Sequence, residues 1–273
     1  MYIYIMITAI LPSRNEPYLQ QTIDSLLSNA GTEIEIIVIL DGYWANPPIK
    51  DDKRVVIIHN TEPKGMRAGI NSAVAIAKGN FLMKADAHCM FSNGFGKELI
   101  NVCKDNWVIV PRRYPLDPEK WIQEERNDSK YPIDYEYIHP LDLHGVEWRQ
   151  RRDERKDIMI DETMTAQGSC WFMKKTHFEF IEGLDEENYG SFFLEFQEIS
   201  FKTWLSGGKV MVDKNVSYHH WHKTDGRGYS LKPGEREKAV DFIKKWKNGT
   251  AWSKQSIPFE EMINRFKPIP GWI

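Results

Sequence analysis

Two residues that can bind a metal ion stand at the end of an apolar run: Asp86 and His88, in the segment KADAHC (84–89), follow GNFLM. A single residue separates them, so a turn after the run would bring both side chains together. A third ligand could come from HHWH (219–222), which holds three histidines. One carboxylate and two imidazoles suit Mn²⁺ or another divalent transition metal better than Ca²⁺, which prefers oxygen ligands.

The same residues also fit a purely structural role. Asp86 could cap backbone donors in a turn, and the three histidines could belong to a partly buried, aromatic strand end. The presence of Asp-x-His together with a separate histidine cluster favours the metal site, with Mn²⁺ or Mg²⁺ as the expected ion.

A divalent ion in such a position usually serves phosphate chemistry. The chain has neither the P-loop pattern G-x-x-x-x-G-K-[ST] nor the dinucleotide pattern G-x-G-x-x-G. A nucleoside diphosphate held by a metal without either motif indicates nucleotide-sugar chemistry, in which the ion neutralises the departing diphosphate.

Composition predicts a soluble globular chain. The 273 residues suffice for one large α/β domain, and the net charge of −3 creates no overall basic field. Three cysteines without the spacing of a disulfide framework or metal knuckle fit a reducing compartment. The apolar start MYIYIMITAIL lacks a basic flank and is shorter than the ~20 residues of a membrane span, so we expect no span and a cytoplasmic location.

Apolar runs alternate with helical patterns over the first 111 residues. Strands are predicted at residues 3–11, EIEIIVIL, RVVIIH, NFLMKAD and NWVIVP, and helices at YLQQTIDSLLSN and GMRAGINSAVAIAKG. This alternation predicts an α/β fold with a mostly parallel central sheet flanked by helices. Ligands of such sheets bind beyond the carboxyl ends of the strands, where residues 12–16, Asp41 and residues 86–88 are expected.

The rest of the chain is less regular. Residues 112–165 are charged, aromatic and interrupted by prolines, and we expect an acceptor-side insertion or lid there. Residues 1–223 are predicted to form one catalytic domain that includes this insertion. Residues 224–273 are predicted to form a helical tail packed on the same domain.

The segments ILPSRNEPYLQQTIDSLL, EIIVILDGY and GMRAGINSAVAIAKGNFLMKADAH resemble, in this order, the nucleotide-binding half of family 2 glycosyltransferases with the GT-A fold. Further along, DAHC resembles the Asp-x-His-Cys metal motif of polypeptide N-acetylgalactosaminyltransferases. LEFQEISFKTWLSGGKV resembles their segment GENxEISFRxWxCGG. The resemblance covers residues 5–111 and 166–223 and implies a GT-A (nucleotide-diphospho-sugar transferase) fold.

This resemblance implies a role for each matching position. The metal ligands would be Asp86, His88 and His219. The nucleotide would contact Pro12, Ser13, Glu16, Asp41 and Arg67, with Asp41 and Glu16 on uracil or ribose. The diphosphate would be faced by Asp86, His222 and Lys223. The sugar would be bordered by Gly168, Ser169, Cys170, Trp171 and Trp204.

The catalytic base departs from the family pattern. Many inverting family 2 enzymes have Glu-Asp before the EISF-like segment, with the Asp as general base, whereas this chain has Glu195-Phe196. We expect either that Glu195 or Glu198 replaces the base, or that there is no base and the sugar configuration is retained. The resemblance slightly favours retention. Glu198 could equally form a structural salt bridge.

The sequence therefore predicts a metal-dependent glycosyltransferase that moves a hexosyl or N-acetylhexosaminyl group from a UDP-sugar to a hydroxyl acceptor. The acceptor could be a glycan, a protein, a small molecule or a modified nucleic acid. One alternative is a nucleotidyltransferase that makes nucleotide-sugars, although PSRNEP lacks the glycines of its usual loop. Another is a non-catalytic glycan-binding module with the same fold.

Overall fold

The computed structural model describes residues 5–125, 131–223 and 231–272, which form twelve β-strands, nine α-helices and one 3₁₀ helix. The strands are β1 (Ile7–Ser13), β2 (Ile34–Asp41), β3 (Val55–Asn60), β4 (Phe81–Ala85), β5 (Cys89–Phe91), β6 (Trp107–Asp117), β7 (Ile122–Gln123), β8 (Glu136–Ile138), β9 (Gly145–Glu147), β10 (Ile160–Glu162), β11 (Cys170–Lys174) and β12 (Lys209–His220). The α-helices are α1 (Leu19–Asn29), α2 (Met66–Ile76), α3 (Phe95–Val102), α4 (Arg149–Glu154), α5 (Lys175–Phe180), α6 (Glu186–Tyr189), α7 (Glu195–Trp204), α8 (Glu235–Ile243) and α9 (Phe259–Phe266). The 3₁₀ helix is Lys244–Asn248.

Ten strands form one sheet whose main order is β10-β12-β6-β11-β4-β1-β2-β3, while β8 and β9 form a separate hairpin. Strands β4, β1, β2 and β3 pair in parallel, as do β6 and β12. Strand β11 is antiparallel to both β4 and β6, so β6 and β12 run in the same direction as β4. The predicted mostly parallel α/β sheet is confirmed, with β11 and the short strands β5, β7 and β10 reversed.

Helices cover both faces of the sheet, so β1 and β2 are buried along their whole length. Alternate residues of β1 enter different cores because successive side chains of a strand point to opposite faces. Ile7, Ala9 and Leu11 join α1 and α3 in one hydrophobic cluster. Ile10 joins a second cluster with α2, α5 and α7.

The small residues of α2 allow this helix to approach the sheet closely, as the sequence predicts. A Cβ atom on Gly69 would lie 3.1 Å from Cγ2 of Ile39 on β2, and Ala73 is fully buried. Larger side chains at these positions would push the helix away from the sheet.

The segment 112–165 contributes to the core. Tyr135, Ile138, Leu143 and Trp148 are buried in the same hydrophobic cluster as α2 and α7. The C-terminal helices reach this cluster as well, and the rings of Phe201 and Trp246 lie 5.5 Å apart. Residues 224–230, which adjoin the predicted boundary, lie outside the described residues, so the division at residue 223 stays a prediction.

In the described part of the chain, no helix has the length and apolar character needed to cross a membrane.

Candidate active site

Three strands carry Asp86, His88 and His220 to one edge of the sheet. β4 and β12 run in the same direction. Asp86 directly follows the carboxyl end of β4, and His220 is the last residue of β12. The backbone N–H of Asp86 donates to the carbonyl of Ser169 at 2.8 Å, which fixes the start of the turn. β5 then pairs antiparallel with the end of β12, with Cys89 opposite His220, so His88 lies beside His220.

The donor atoms of these three residues have the spacing of a metal site. Nε2 of His220 lies 3.1 Å from Nε2 of His88 and 3.1 Å from Oδ2 of Asp86, and Nε2 of His88 lies 3.8 Å from the same oxygen. Metal–ligand bonds of about 2.1 Å place neighbouring donor atoms on the order of 3 Å apart. The residues present therefore fit a divalent transition metal held by one carboxylate and two imidazoles.

His220 takes the position for which the sequence favoured His219. Successive side chains of a strand point to opposite faces, so His219 and His220 cannot both reach Asp86. His219 packs against the ring of Tyr114 at 5.4 Å, and its Nδ1 has no hydrogen-bond partner among the described residues. Burial lowers the pKa of His220 to about 3, so its imidazole is neutral, as a metal ligand must be.

Glu16 and Lys223 hold His88 from the other side. Oε2 of Glu16 lies 2.9 Å from Nδ1 of His88, and Nζ of Lys223 donates to Oε1 of Glu16. A carboxylate can only accept, so Nδ1 of His88 donates its proton, and the lone pair of Nε2 faces Asp86 and His220. Glu16 was expected on the nucleotide, whereas here it orients the imidazole of His88, a candidate metal ligand. We call Glu16, Asp86, His88, His220 and Lys223 the cleft cluster.

Lys84 lies beneath Asp86 and is 1% exposed. Its Nζ contacts Oδ1 of Asp86 at 2.6 Å, the carbonyl of Gly168 at 2.5 Å and Oε2 of Glu195 at 3.4 Å. Burial alone would raise the pKa of Asp86, but the charge of Lys84 and the hydrogen bond with His220 outweigh it and hold that pKa well below its usual range. Asp86 is therefore a carboxylate that keeps one oxygen toward the imidazoles.

A cleft with a cavity volume of about 130 Å³ opens to solvent beside this cluster. It is lined by Pro12, Glu16, Met66, Asp86, Ala87, His88, Gln167, Phe192, His220, Trp221, His222 and Lys223. Six of these residues were predicted site residues: Pro12, Glu16, Asp86, His88, His222 and Lys223.

The other lining residues were missed by sequence reasoning, or were left without a role. Trp221 and His220 lie in the HHWH run. The sequence marks this run as a histidine cluster but does not show which of its side chains face the cleft. Gln167 directly precedes the predicted sugar-side segment, so its position could have been a signal. Phe192 lies in an irregular loop, where no periodic pattern marks a functional residue.

Two expected nucleotide contacts lie away from the cleft. Asp41 is fully buried, and its carboxylate accepts from the backbone N–H groups of Lys64 and Gly65 at 2.8 and 2.9 Å and from Asn60. Asp41 therefore shapes the loop before α2, and these donors replace the predicted uracil or ribose. Ser13 is buried too, and its hydroxyl hydrogen-bonds to that of Tyr43 at 2.7 Å.

Arg67 and Glu198 form a buried ion pair, together with Lys202. The side chains of Arg67 and Glu198 are both 0% exposed, and Arg67 donates to Oε2 of Glu198. Oε1 of Glu198 accepts from Lys202 at 2.7 Å and from the backbone N–H of Asp185 at 3.0 Å. These three residues, here called the enclosed cluster, do not line the cleft, which removes Arg67 from the diphosphate and Glu198 from the catalytic base.

Glu195 lies one layer below the cleft. Its Oε1 accepts from Nε1 of Trp171 at 2.7 Å, its Oε2 faces Lys84, and burial raises its pKa. A Cβ atom on Gly168 would lie 2.6 Å from Oε2 of Glu195, so a larger residue there would displace this carboxylate. Glu195 thus supports Lys84 and Asp86 and does not line the cleft as a general base would.

Most of the predicted sugar-side residues occupy the same underlying layer. Cys170 and Trp171 are fully buried on β11, and the hydroxyl of Ser169 hydrogen-bonds to that of Tyr218 at 2.7 Å. Trp204 lies at the far end of α7, where its Nε1 donates to the carbonyl of Met164 at 3.2 Å. Gly168, Ser169, Cys170 and Trp171 lie beneath the cleft, Trp204 lies away from it, and Gln167 is the residue next to this segment that lines the cleft.

Curated proteins with similar sequences carry glycosyltransferase names. The uncharacterized glycosyltransferase EpsJ of Bacillus subtilis is 28% identical over 178 residues, 58% of this chain and 52% of that protein. The putative polypeptide N-acetylgalactosaminyltransferase 13 of Drosophila melanogaster is 22% identical over 219 residues, 71% of this chain and 37% of that protein. The chain thus spans about half the length, or less, of these relatives.

Solved structures show the same fold. GalNAc-T7, crystallised with UDP, GalNAc and Mn²⁺, matches with a TM-score of 0.68 at 17% identity, over 90% of this chain and 49% of that one. TarS residues 1–349 of S. aureus, in complex with UDP-GlcNAc, match with a TM-score of 0.56 at 14% identity, over 88% and 65%. These likenesses confirm the predicted GT-A fold.

The family assignment follows from the sequence itself. Residues 8–181, more than half of the chain, match the family Glycosyl transferase family 2. This stretch contains β1, β2, β4 and the turn with Asp86 and His88, which carried the resemblance in the sequence. The chain is a member of glycosyl transferase family 2.

Proposed function

We propose that this chain is a metal-dependent glycosyltransferase that transfers a sugar from a UDP-sugar to a hydroxyl acceptor. The observation that carries the proposal is the convergence of Asp86, His88 and His220 within a cleft at the carboxyl edge of the sheet. Membership of glycosyl transferase family 2 supports the reaction class.

Asp86, His88 and His220 would hold the metal, with Mn²⁺ or Mg²⁺ as the expected ion. Bound there, the ion would neutralise the negative charge that develops on the departing diphosphate. Glu16 keeps the proton of His88 on Nδ1, and Lys84 keeps Asp86 ionised beneath it. Lys223 and His222, both in the lining, are proposed to face the diphosphate.

The lining of the cleft also offers apolar surface for the nucleoside. Pro12, Met66, Phe192 and Trp221 line it. The ring of Tyr18 meets that of Trp221 edge-on at 5.2 Å, which holds the indole in place. We propose that this surface takes the pyrimidine, in place of the contact that Asp41 was expected to make.

Retention of the sugar configuration is the proposed stereochemical outcome. Glu16 and Asp86 supply the carboxylates among the described residues that line the cleft, and both already pair with imidazoles or lysines. An inverting displacement needs a carboxylate to take the proton of the acceptor. In the proposed reaction the bond from the anomeric carbon to the diphosphate breaks, the acceptor oxygen bonds to that carbon, and a diphosphate oxygen receives the proton.

The choice of donor draws on the structural neighbours. GalNAc-T7 was crystallised with UDP, GalNAc and Mn²⁺, and TarS residues 1–349 with UDP-GlcNAc. UDP-GalNAc and UDP-GlcNAc are therefore the first donors to test. For the acceptor, the proposal specifies the chemical class, a molecule with a free hydroxyl group.

The proposal is tested by release of UDP from these donors, with Mn²⁺ and with a chelator, and by calorimetry of UDP binding under both conditions. We expect both signals to require Mn²⁺. Asp86→Asn should lower UDP release by at least about a hundredfold, the order of loss when an electrostatic stabiliser of a transition state is removed.

Asp105→Asn is the matched control, because Asp105 is 90% exposed and pairs with Lys174 at the surface. This variant should behave like the parent chain. Metal-independent UDP binding together with no Mn²⁺-dependent release of UDP would contradict the proposal.

A further inference from the structure

A second group of metal-binding side chains lies in the loop of the hairpin β8–β9, outside the cleft. It consists of His139, Asp142 and His144, whose ligand atoms all lie within 4.8 Å of one another. None of the three residues lines the cleft described above. We call them the hairpin cluster.

The hairpin itself brings the two histidines together. The register of β8 and β9 pairs Ile138 with Gly145, so His139 and His144 are the next cross-strand neighbours. The backbone N–H of His139 donates to the carbonyl of His144 at 2.8 Å, and that of Leu143 donates to the carbonyl of His139 at 2.9 Å. The fully buried Leu143, with φ of 58°, anchors the loop. The loop is thus shaped by backbone contacts and a core side chain.

The donor atoms converge on one carboxylate oxygen. Oδ1 of Asp142 lies 3.1 Å from Nδ1 of His139 and 2.5 Å from Nδ1 of His144. A metal bound by all three atoms would need them on the order of 3 Å apart, so the shorter contact opens by a few tenths of an ångström. The three side chains are 35%, 33% and 44% exposed, which leaves room for solvent ligands on an ion.

In the described part of the chain, Asp142 pairs with imidazoles and with no lysine or arginine. Among the described residues, its ion pairs at 4.0 Å or less are those with the two imidazoles. A carboxylate between two imidazoles, without a lysine or arginine, can accept either a proton shared with them or a divalent ion that replaces the protons.

We propose that the hairpin cluster is a second site for a divalent transition metal, with Zn²⁺ as the best match. Two imidazoles and one carboxylate form a common three-residue zinc ligand set, in which solvent completes the coordination. Such an ion would fix the loop that the C-terminal segment contacts. Trp272 Nε1 donates to the carbonyl of Ile138 at 2.6 Å, and Lys247 Nζ donates to that of Pro140 at 3.1 Å. The role of the site is therefore to stabilise the docking of the C-terminal residues.

The test is calorimetric titration of Zn²⁺ into the tag-free, chelator-treated full chain in which His88→Gln and His220→Gln have removed two ligands of the cleft cluster. We expect this chain still to bind one Zn²⁺ and its melting temperature to rise with the ion. Adding His139→Gln and His144→Gln should abolish both effects. Asp142→Asn, a smaller change, should weaken Zn²⁺ binding at least about tenfold.

His59→Gln serves as the matched control, because His59 is also half-buried but stands on β3, stacked on Trp44. This change should leave Zn²⁺ binding intact. Retention of Zn²⁺ binding after His139→Gln and His144→Gln, or no Zn²⁺ binding before them, would overturn the second site. The result for the hairpin cluster does not depend on the cleft cluster. If the cleft cluster binds no metal, the parent chain and the chain with His88→Gln and His220→Gln will bind the same number of Zn²⁺ ions.

Discussion

The cleft cluster and the enclosed cluster are built from similar charged residues in opposite environments. In the cleft cluster, Asp86 is 28% exposed and His88 12%, and both line the open cleft. In the enclosed cluster, Arg67 and Glu198 are 0% exposed, and each makes several contacts with protein groups. The comparison teaches that charge and spacing alone do not identify a site, because accessibility to a ligand decides which group can do chemistry.

The partners of each group sharpen the difference. Guanidinium N–H groups of Arg67 donate to Glu198 and to the carbonyl of Phe193, and Cζ of Arg67 lies 4.6 Å from the centroid of the Tyr189 ring. His88 and His220 instead direct Nε2 atoms at each other across 3.1 Å, a contact that a metal ion would satisfy better than a single shared proton. Substitutions should therefore affect stability in one cluster and ligand binding in the other.

The largest expected effect is the loss of stability in Glu198→Gln. Without the carboxylate, Arg67 and Lys202 remain as buried cations, which costs about 3–5 kcal/mol when one partner of a buried ion pair is removed. Urea unfolding measures this change as a lower free energy of unfolding.

The matched control for Glu198→Gln is Glu182→Gln, because Glu182 is 51% exposed and pairs with Lys254 at the surface. An exposed pair contributes less than about 1 kcal/mol. Equal costs in the two variants would refute the structural role of the enclosed cluster. So would a folded Glu198→Gln chain that no longer binds Mn²⁺.

A smaller effect is expected for Glu16→Gln, and it should appear in metal affinity. Glu16 orients His88 through Nδ1, and loss of such a supporting carboxylate typically weakens metal binding about 10–100-fold. Calorimetry with Mn²⁺ measures the change, and Glu62→Gln, at an exposed position, is the control. Unchanged Mn²⁺ affinity in Glu16→Gln would show that His88 is oriented in another way.

The smallest effect is expected for turnover in Glu195→Gln. A general base contributes about 10²–10⁴-fold, whereas a residue that only supports Lys84 should cost less than about tenfold once the protein is folded. The NMR signal of the anomeric proton should show that the transferred sugar has the same anomeric configuration in the product as in the donor. An inverted product together with a loss of about a hundredfold or more in Glu195→Gln would restore Glu195 as the base.

The sequence predicted the fold well where local patterns decide it. Continuous apolar runs marked β1, β2 and β4, and small residues marked α2, because both patterns reflect burial on two faces of the sheet. The reversal of β11 was not predicted, since the direction of a strand depends on the path of the chain around it and not on its own residues.

The sequence could place together only those residues of the candidate site that lie on a single turn. Asp86 and His88 lie on one turn, and the sequence places them together. The choice of His220 over His219 depends on strand register, in which an error of one residue moves a side chain to the other face. The pairing of Arg67 with Glu198 joins residues 131 positions apart, so no local pattern announces it. The hairpin cluster could not be predicted from the sequence for the same reason, because it depends on the register of β8 and β9.

The most direct test of the central claim compares His220→Gln with His219→Gln, two neighbouring substitutions on one strand. Mn²⁺ binding in the presence of UDP is followed by the electron paramagnetic resonance signal of the free ion. We expect His220→Gln to weaken Mn²⁺ binding by more than about tenfold, and His219→Gln to bind Mn²⁺ like the parent chain. Loss of Mn²⁺ binding in His219→Gln with normal binding in His220→Gln would contradict the site formed by Asp86, His88 and His220.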